Sequence, residues 1–144
     1  LSPYGTFSDM SDSDPEALFT YVLEQLSARG IAYVHVIEPR ASNAGSGGND
    51  NAAEDAPSTS QLFRKHFKGA FISAGGYTPD SAKEVVAKGD ADAVAFGRYY
   101  ISTPDLAERV KAGIPLNKYD RATFYGGTEK GYTDYPTADK ANAA

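Results

Sequence analysis

Residues 71–101 read FISAGGYTPDSAKEVVAKGDADAVAFGRYYI, and the fold follows from how this stretch is divided. Phe71–Ala74 is a short apolar run stopped by Gly75-Gly76. Thr78-Pro79-Asp80 marks a helix start: Thr78 caps, Pro79 suits the first helical position, and Asp80 complements the positive helix end. Ala82, Val85 and Val86 give that helix one buried side, and Gly89 ends it. Ala91–Phe96 is a second apolar strand, closed by Gly97-Arg98. Strand, helix, strand implies a parallel pair, so both glycine turns lie at the same end of a sheet. A glycine lets a ligand approach the backbone closely, and Arg98 adds a permanent charge with a planar fork of donors. Together they read as a phosphate cradle. The bland alternatives are two tight turns and a surface ion pair for Arg98.

Composition narrows the classes. The chain has 144 residues, 41% hydrophobic, with a formal net charge of −5. That is enough for one ordinary core. The negative balance and the lack of a dense basic run argue against a nucleic-acid surface. No apolar run approaches the roughly 20 residues of a membrane span, and no charged-then-apolar leader is visible. With no cysteine, disulfides and thiolate chemistry are excluded. Two histidines, His35 and His66, are too few and too far apart for a metal site. A start at Leu1 suggests processing or a fragment.

Outward from the central stretch, Leu1-Ser2 reads as the end of a strand, before Pro3 and Gly5 break regular structure. Ser13 or Asp14 caps a helix from Pro15, with Leu18, Phe19, Val22, Leu23 and Leu26 as its inward stripe and Gly30 as its stop. Ile31–Ile37 is a nearly continuous apolar strand, as expected of one covered on both faces. His35 within it is expected to be packed and hydrogen-bonded. Glu38 follows at the strand's C-terminal end, where site residues gather in a barrel, and either faces the pocket or does not. Residues 41–60 have almost nothing to bury and read as a long flexible loop, a tolerated insertion more than a lid. Gln61–Phe67 is a short helix with Leu62 and Phe63 buried and His66 exposed. Ser102–Ala112 is another helix, capped by Ser102 or Thr103 and started by Pro104, with Leu106, Val110 and Ile114 inward. Residues 115–137, rich in tyrosine and glycine, form an ordered tail, and Ala138–Ala144 is expected to fray.

Alternating strands and helices make this α/β with a parallel sheet. A doubly wound sheet or a barrel can contain it. Three strands alone make a poor closed domain with two open edges.

Five motifs carry a resemblance. LSPYGTF (1–7), AGGYT (74–78), DAVAFGRYYISTPDL (92–106), LNKYDRATFYGG (116–127) and GYTDYP (131–136) together resemble the C-terminal part of the old yellow enzyme family of flavin-dependent ene-reductases. The FYGG and GYTDYP pattern looks most like the bacterial branch that contains pentaerythritol tetranitrate reductase and N-ethylmaleimide reductase. The likeness runs from Leu1 to about Thr137.

The resemblance implies a (β/α)8 TIM barrel with non-covalent FMN at the C-terminal ends of its strands. Leu1 would end strand 5, and the three complete strands would be 6, 7 and 8, so that 1–144 is the C-terminal segment of a single barrel domain. Ala74, Gly75, Gly76, Gly97 and Arg98 match the FMN phosphate site. Tyr125 matches a tyrosine lining the substrate pocket; its alternative is a buried hydroxyl that packs the tail. The activity implied is reduction of activated alkenes (enones, enals, nitroalkenes) with NAD(P)H as reductant, in the cytoplasm. The family's flavin-contacting arginine, substrate-anchoring pair and proton-donating tyrosine lie on earlier strands, so no catalytic residue is expected in this chain, and an N-terminal segment of the same barrel is its expected partner. A non-flavin phosphate-binding barrel enzyme and a non-catalytic half-barrel fragment are the competing readings.

Overall fold

A computed structural model describes residues 1–5, 9–39 and 57–141. The chain divides into two compact units, Leu1–Ala95 and Phe96–Ala144.

The first unit is built on a parallel sheet. Helix α1, Pro15–Ala28, starts where Asp14 accepts a bond from the Ala17 N–H at 3.0 Å and Pro15 takes the first helical position. Strand β1 is Tyr33–Ile37. Helix α2, Thr59–Phe63, and a 3-10 turn, Arg64–His66, lead to strand β2, Ala70–Ala74. Helix α3 is Pro79–Ala87 and strand β3 is Ala93–Ala95. The strands lie in the order β1-β2-β3, all parallel, with His35 opposite Ile72 and Ile72 opposite Ala93.

Successive strand residues point to opposite faces, and the two faces differ here. Val34, Val36, Phe71 and Ser73 are buried on the helix side, where α2 packs on β1 and α3 on β3. Leu23 of α1 and Phe63 of α2 complete this core, with the Phe19 and Phe63 rings edge to face at 6.4 Å. Tyr33, His35 and Ile37 are exposed on the other face. The expectation of a strand covered twice, with a packed His35, is therefore corrected: among the described residues only one face of β1 is covered. The edge of β1 is partly occupied. Leu1 donates to the His35 carbonyl at 2.6 Å and accepts from the Ile37 N–H at 2.9 Å, the bonding of a parallel neighbour.

Helix α3 forms as its sequence dictates. Thr78 and Ser81 bond reciprocally in a capping box, Pro79 is in the first turn, and Ala82 and Val85 are buried. Val86 and, on α1, Leu18 are exposed at 41% and 42%, so both inward stripes are narrower than their apolar spacing implies. The expected loop at 41–60 falls mostly on residues 40–56, outside the described residues. Its last two positions belong to α2, which begins at Thr59 and ends at Phe63 instead of spanning Gln61–Phe67. The reason is a cap: Ser58 Oγ accepts from the Gln61 N–H.

The second unit corrects the helix expected at Ser102–Ala112. It begins four residues later, as α5, Leu106–Ala112, and Ser102 instead closes a separate short helix, α4, Arg98–Ser102. Ser102 and Thr103 do not cap a helix. Both are fully buried, where Ser102 Oγ donates to the Asn117 carbonyl at 3.1 Å and Thr103 Oγ1 accepts from the Asn117 N–H at 3.2 Å. The inward residues of α5 are Leu106 and Arg109; Ile114, past its end, is exposed. Arg109 is 4% exposed and satisfied, giving bonds to Asp105, to the Pro115 and Pro136 carbonyls and to Asn117 Oδ1. Asn117 Nδ2 also donates to the Pro136 carbonyl at 2.8 Å. The tail is thus held to α5 by polar bonds. Where fraying was expected, a short helix α6, Ala138–Ala141, begins with the Ala138 N–H on Asp105 Oδ2 at 2.8 Å.

Two outcomes follow. Leu23→Ala removes a fully buried leucine and lowers stability by about 2–5 kcal/mol, read by denaturant unfolding. Arg109→Lys keeps the charge but loses the fork that reaches both proline carbonyls, so limited proteolysis cuts residues 128–141 faster than in the unsubstituted chain.

Candidate functional site

The glycine turn after β2 sits where two strands end in step. Ala74 is opposite Ile37 on one side and Ala95 on the other, so the C-terminal ends of all three strands lie along one edge. Gly75 and Gly76 follow with φ of 110° and 71°. Two consecutive residues in this region are tolerable only without side chains, and such a bend leaves the backbone open to close approach.

Gly97 opens the second unit's first helix, α4, two residues beyond β3. A Cβ added there would meet nothing within 4 Å, so the space beside its backbone is open. Arg98, next in the chain, is half-buried among aromatic rings. Its guanidinium carbon lies 5.4 Å from the Tyr99 ring centroid and 5.3 Å from that of Tyr119. Tyr119 in turn packs on Phe124 at 5.8 Å. The two rings, at 74° to each other, hold the side chain beside the Gly97 turn.

Tyr125 is 98% exposed. The alternative role of a buried hydroxyl packing the tail is not what the structure shows. His66 Nδ1 meets Glu24 Oε1 at 3.0 Å on the surface, while His35 lies on the open face of β1. Among the described residues no group of His, Asp or Glu gathers that would hold a metal ion.

Glu38 is the residue that sequence reasoning left undecided. It is 1% exposed and does not face the open side of the sheet. It continues the even-numbered register of Val34 and Val36, toward the helices. Oε1 accepts from Ser60 N–H at 3.0 Å, Ser73 Oγ at 2.9 Å and Tyr77 Oη at 3.1 Å. Oε2 accepts from Ser58 Oγ at 3.0 Å and Thr59 N–H at 2.9 Å. Its own N–H donates to the Ala74 carbonyl at 2.8 Å. Burial pushes this carboxyl up, but the bonds from Ser60, Ser73 and Thr59 outweigh it and hold the group below the ordinary carboxylate value. The only signal in the sequence was a glutamate closing an apolar strand, with hydroxyl residues Ser58-Thr59-Ser60 and Ser73 elsewhere. Nothing local says that these meet.

Because its folded value is depressed, Glu38 contributes stability that is fully present above the unfolded value and lost as pH falls through the folded one. Unfolding curves from pH 7 down to pH 3 should show that loss. Glu38→Gln turns an amide N–H2 toward donors, costs about 3 kcal/mol at neutral pH, and flattens this part of the profile.

The chain is 45% identical over 140 residues to 12-oxophytodienoate reductase 2 of Arabidopsis thaliana, a match that takes in 96% of this chain and 36% of the relative. Morphinone reductase in complex with tetrahydroNAD superposes with a TM-score of 0.79 at 40% identity, covering 98% of this chain and 35% of that one. The old yellow enzyme from Trypanosoma cruzi gives 0.81 at 32% identity, covering 95% and 34%. The chain thus spans about a third of the length of the relatives it matches, and its strands β1–β3 are parallel strands of their (β/α)8 barrel. Residues 1–117 match the profile of one family, and this chain belongs to it: the NADH:flavin oxidoreductase / NADH oxidase family.

Proposed function

We propose that this chain is the C-terminal segment of a (β/α)8 ene-reductase, and that it supplies the phosphate site for FMN. The observation that carries the reading is the pair of glycine turns at the ends of β2 and β3. The in-register pairing of Ala74 with Ala95 brings those two strand ends to one edge. The backbone of Ala74, Gly75 and Gly76 and that of Gly97 would face the phosphate with N–H groups, and Arg98 would add a charge-assisted fork. Residues of these kinds fit a dianion: side-chain-free bends, open space at Gly97, and an arginine held by rings. Tyr125, fully exposed on the tail, would line the substrate pocket.

When bound, FMN would supply the hydride chemistry between NAD(P)H and an electron-poor alkene. Morphinone reductase, a relative by structure, is known in complex with tetrahydroNAD, which supports a nicotinamide reductant here. The chain's own residues bind and orient; we assign none of them a proton transfer. The remainder of the barrel would come from an N-terminal segment. The open face of β1 and the single residue paired to its edge support that partnership. Among the described residues no helix is long and apolar enough to cross a membrane, and we place the protein in the cytoplasm.

The test is a flavin titration followed by fluorescence, with the chain alone and with a segment carrying strands 1–5. FMN binds weakly or not at all to the chain alone and tightly to the reconstituted barrel, and riboflavin, lacking the phosphate, binds at least tenfold less tightly than FMN. Arg98→Ala removes about 1.5–3 kcal/mol of FMN affinity and leaves riboflavin unchanged. Equal affinity for the two flavins would remove the phosphate site from these residues.

A further inference from the structure

Ser73 and Tyr77 stand four residues apart on either side of the two-glycine bend. Both donate to the same atom, Glu38 Oε1, at 2.9 and 3.1 Å, and their hydroxyls lie 2.9 Å from each other. The Glu38 N–H holds the Ala74 carbonyl at 2.8 Å. The residue that follows β1 therefore touches positions 73, 74 and 77 and leaves only Gly75 and Gly76 between its contacts. Glycine loses more backbone freedom on ordering than any other residue, and a bend made of two of them needs an external constraint to keep a single shape. The same carboxylate takes the N–H groups of Thr59 and Ser60, so the segment re-entering at Ser58 is tied to the bend as well.

We propose that Glu38 is a positioning residue for the phosphate-binding turn, fixing the backbone of Gly75 and Gly76 through Ser73, Ala74 and Tyr77. It does not touch the ligand. Its side chain belongs to the helix side of the sheet, with Val34 and Val36, and acts from behind the turn. The buried Glu38–Ser73–Tyr77 set has no apolar substitute: a carboxylate is the side chain that can accept from two backbone N–H groups and three hydroxyls at once. This role rests on the phosphate reading above and adds to it the residue that shapes the site.

The experiment uses the 15N-labelled chain reconstituted with an unlabelled segment carrying strands 1–5, and follows the chain's amide signals by NMR while FMN or riboflavin is added. This readout detects weak binding and does not depend on turnover. In the unsubstituted chain FMN moves the Gly75 and Gly76 signals and riboflavin does not. In Glu38→Gln the signals of Gly75, Gly76 and Tyr77 are displaced before any flavin is added, those of α5 and the tail are not, and the FMN response needs at least tenfold more ligand. Leu23→Ala, a comparable destabilisation of the same unit, keeps both the turn signals and the FMN response. If Glu38→Gln does not fold, Tyr77→Phe removes one hydroxyl of the brace and gives the same displacement in smaller measure. Unmoved turn signals with an intact FMN response, in Glu38→Gln or in its substitute, overturn the proposal. So does an equal loss of response in Leu23→Ala, which would make the effect one of stability alone. Should FMN leave Gly75 and Gly76 untouched in the reconstituted barrel with the unsubstituted chain, the phosphate reading itself falls and takes the role of Glu38 with it, an outcome visible without any substitution.

Discussion

A carboxylate taken out of water is expensive unless every lone pair finds a donor. Glu38 meets that condition with two backbone N–H groups and three hydroxyls drawn from three separate places in the chain. The consequence is structural before it is functional. Remove any contributing segment and the group is left both buried and under-bonded, so the end of β1, the start of α2 and the turn after β2 must form together. Apolar packing between α2 and β1 brings these segments near one another, but packing alone is tolerant of small shifts. Five directional bonds to two oxygens are not.

What could be read from the sequence was whatever is decided within a few residues. Helix α3 is the clearest case: cap, proline, first-turn acid and terminal glycine all act locally, and all are where the residues put them. The Asp14 cap of α1 is another. The parallel sheet followed from alternation of strands and helices. What could not be read depended on distant partners. Ser102 and Thr103 look like helix caps beside Pro104, yet Asn117, fifteen and fourteen residues on, bonds to them, and the helix starts only at Leu106. Arg109 and Glu38 carry charges whose default place is solvent. Each is buried because the tail or the turn offers it a full set of partners, and that offer is written nowhere near it.

The exposed side of β1 is a different kind of discrepancy. Tyr33, Val34, His35, Val36 and Ile37 make a strand whose composition suits cover on both faces, but the structure alternates exposed and buried. Composition records the environment a strand is built for, and burial records what is beside it. In the (β/α)8 barrel to which the family relation points, the face opposite the helices is the barrel interior. Tyr33 and Ile37 on that face fit an interior that this chain lines only in part.

Arg98 shows why the residue type matters at the second glycine turn. A lysine there would carry the same charge on a flexible stem, strongly hydrated, and ordering it against an anion would cost side-chain entropy at the moment of binding. The guanidinium lies over both Tyr99 and Tyr119, and Tyr119 is backed by Phe124. In the proposed site, part of that ordering cost would therefore be met by aromatic contact before any ligand arrives. The same logic governs the first turn, where Glu38 restrains glycines that would otherwise sample many shapes. If the proposed phosphate site holds, two different devices, a buried anion behind one bend and aromatic rings beside the other, do one physical job there: each removes conformational freedom from a segment whose own residues cannot do so.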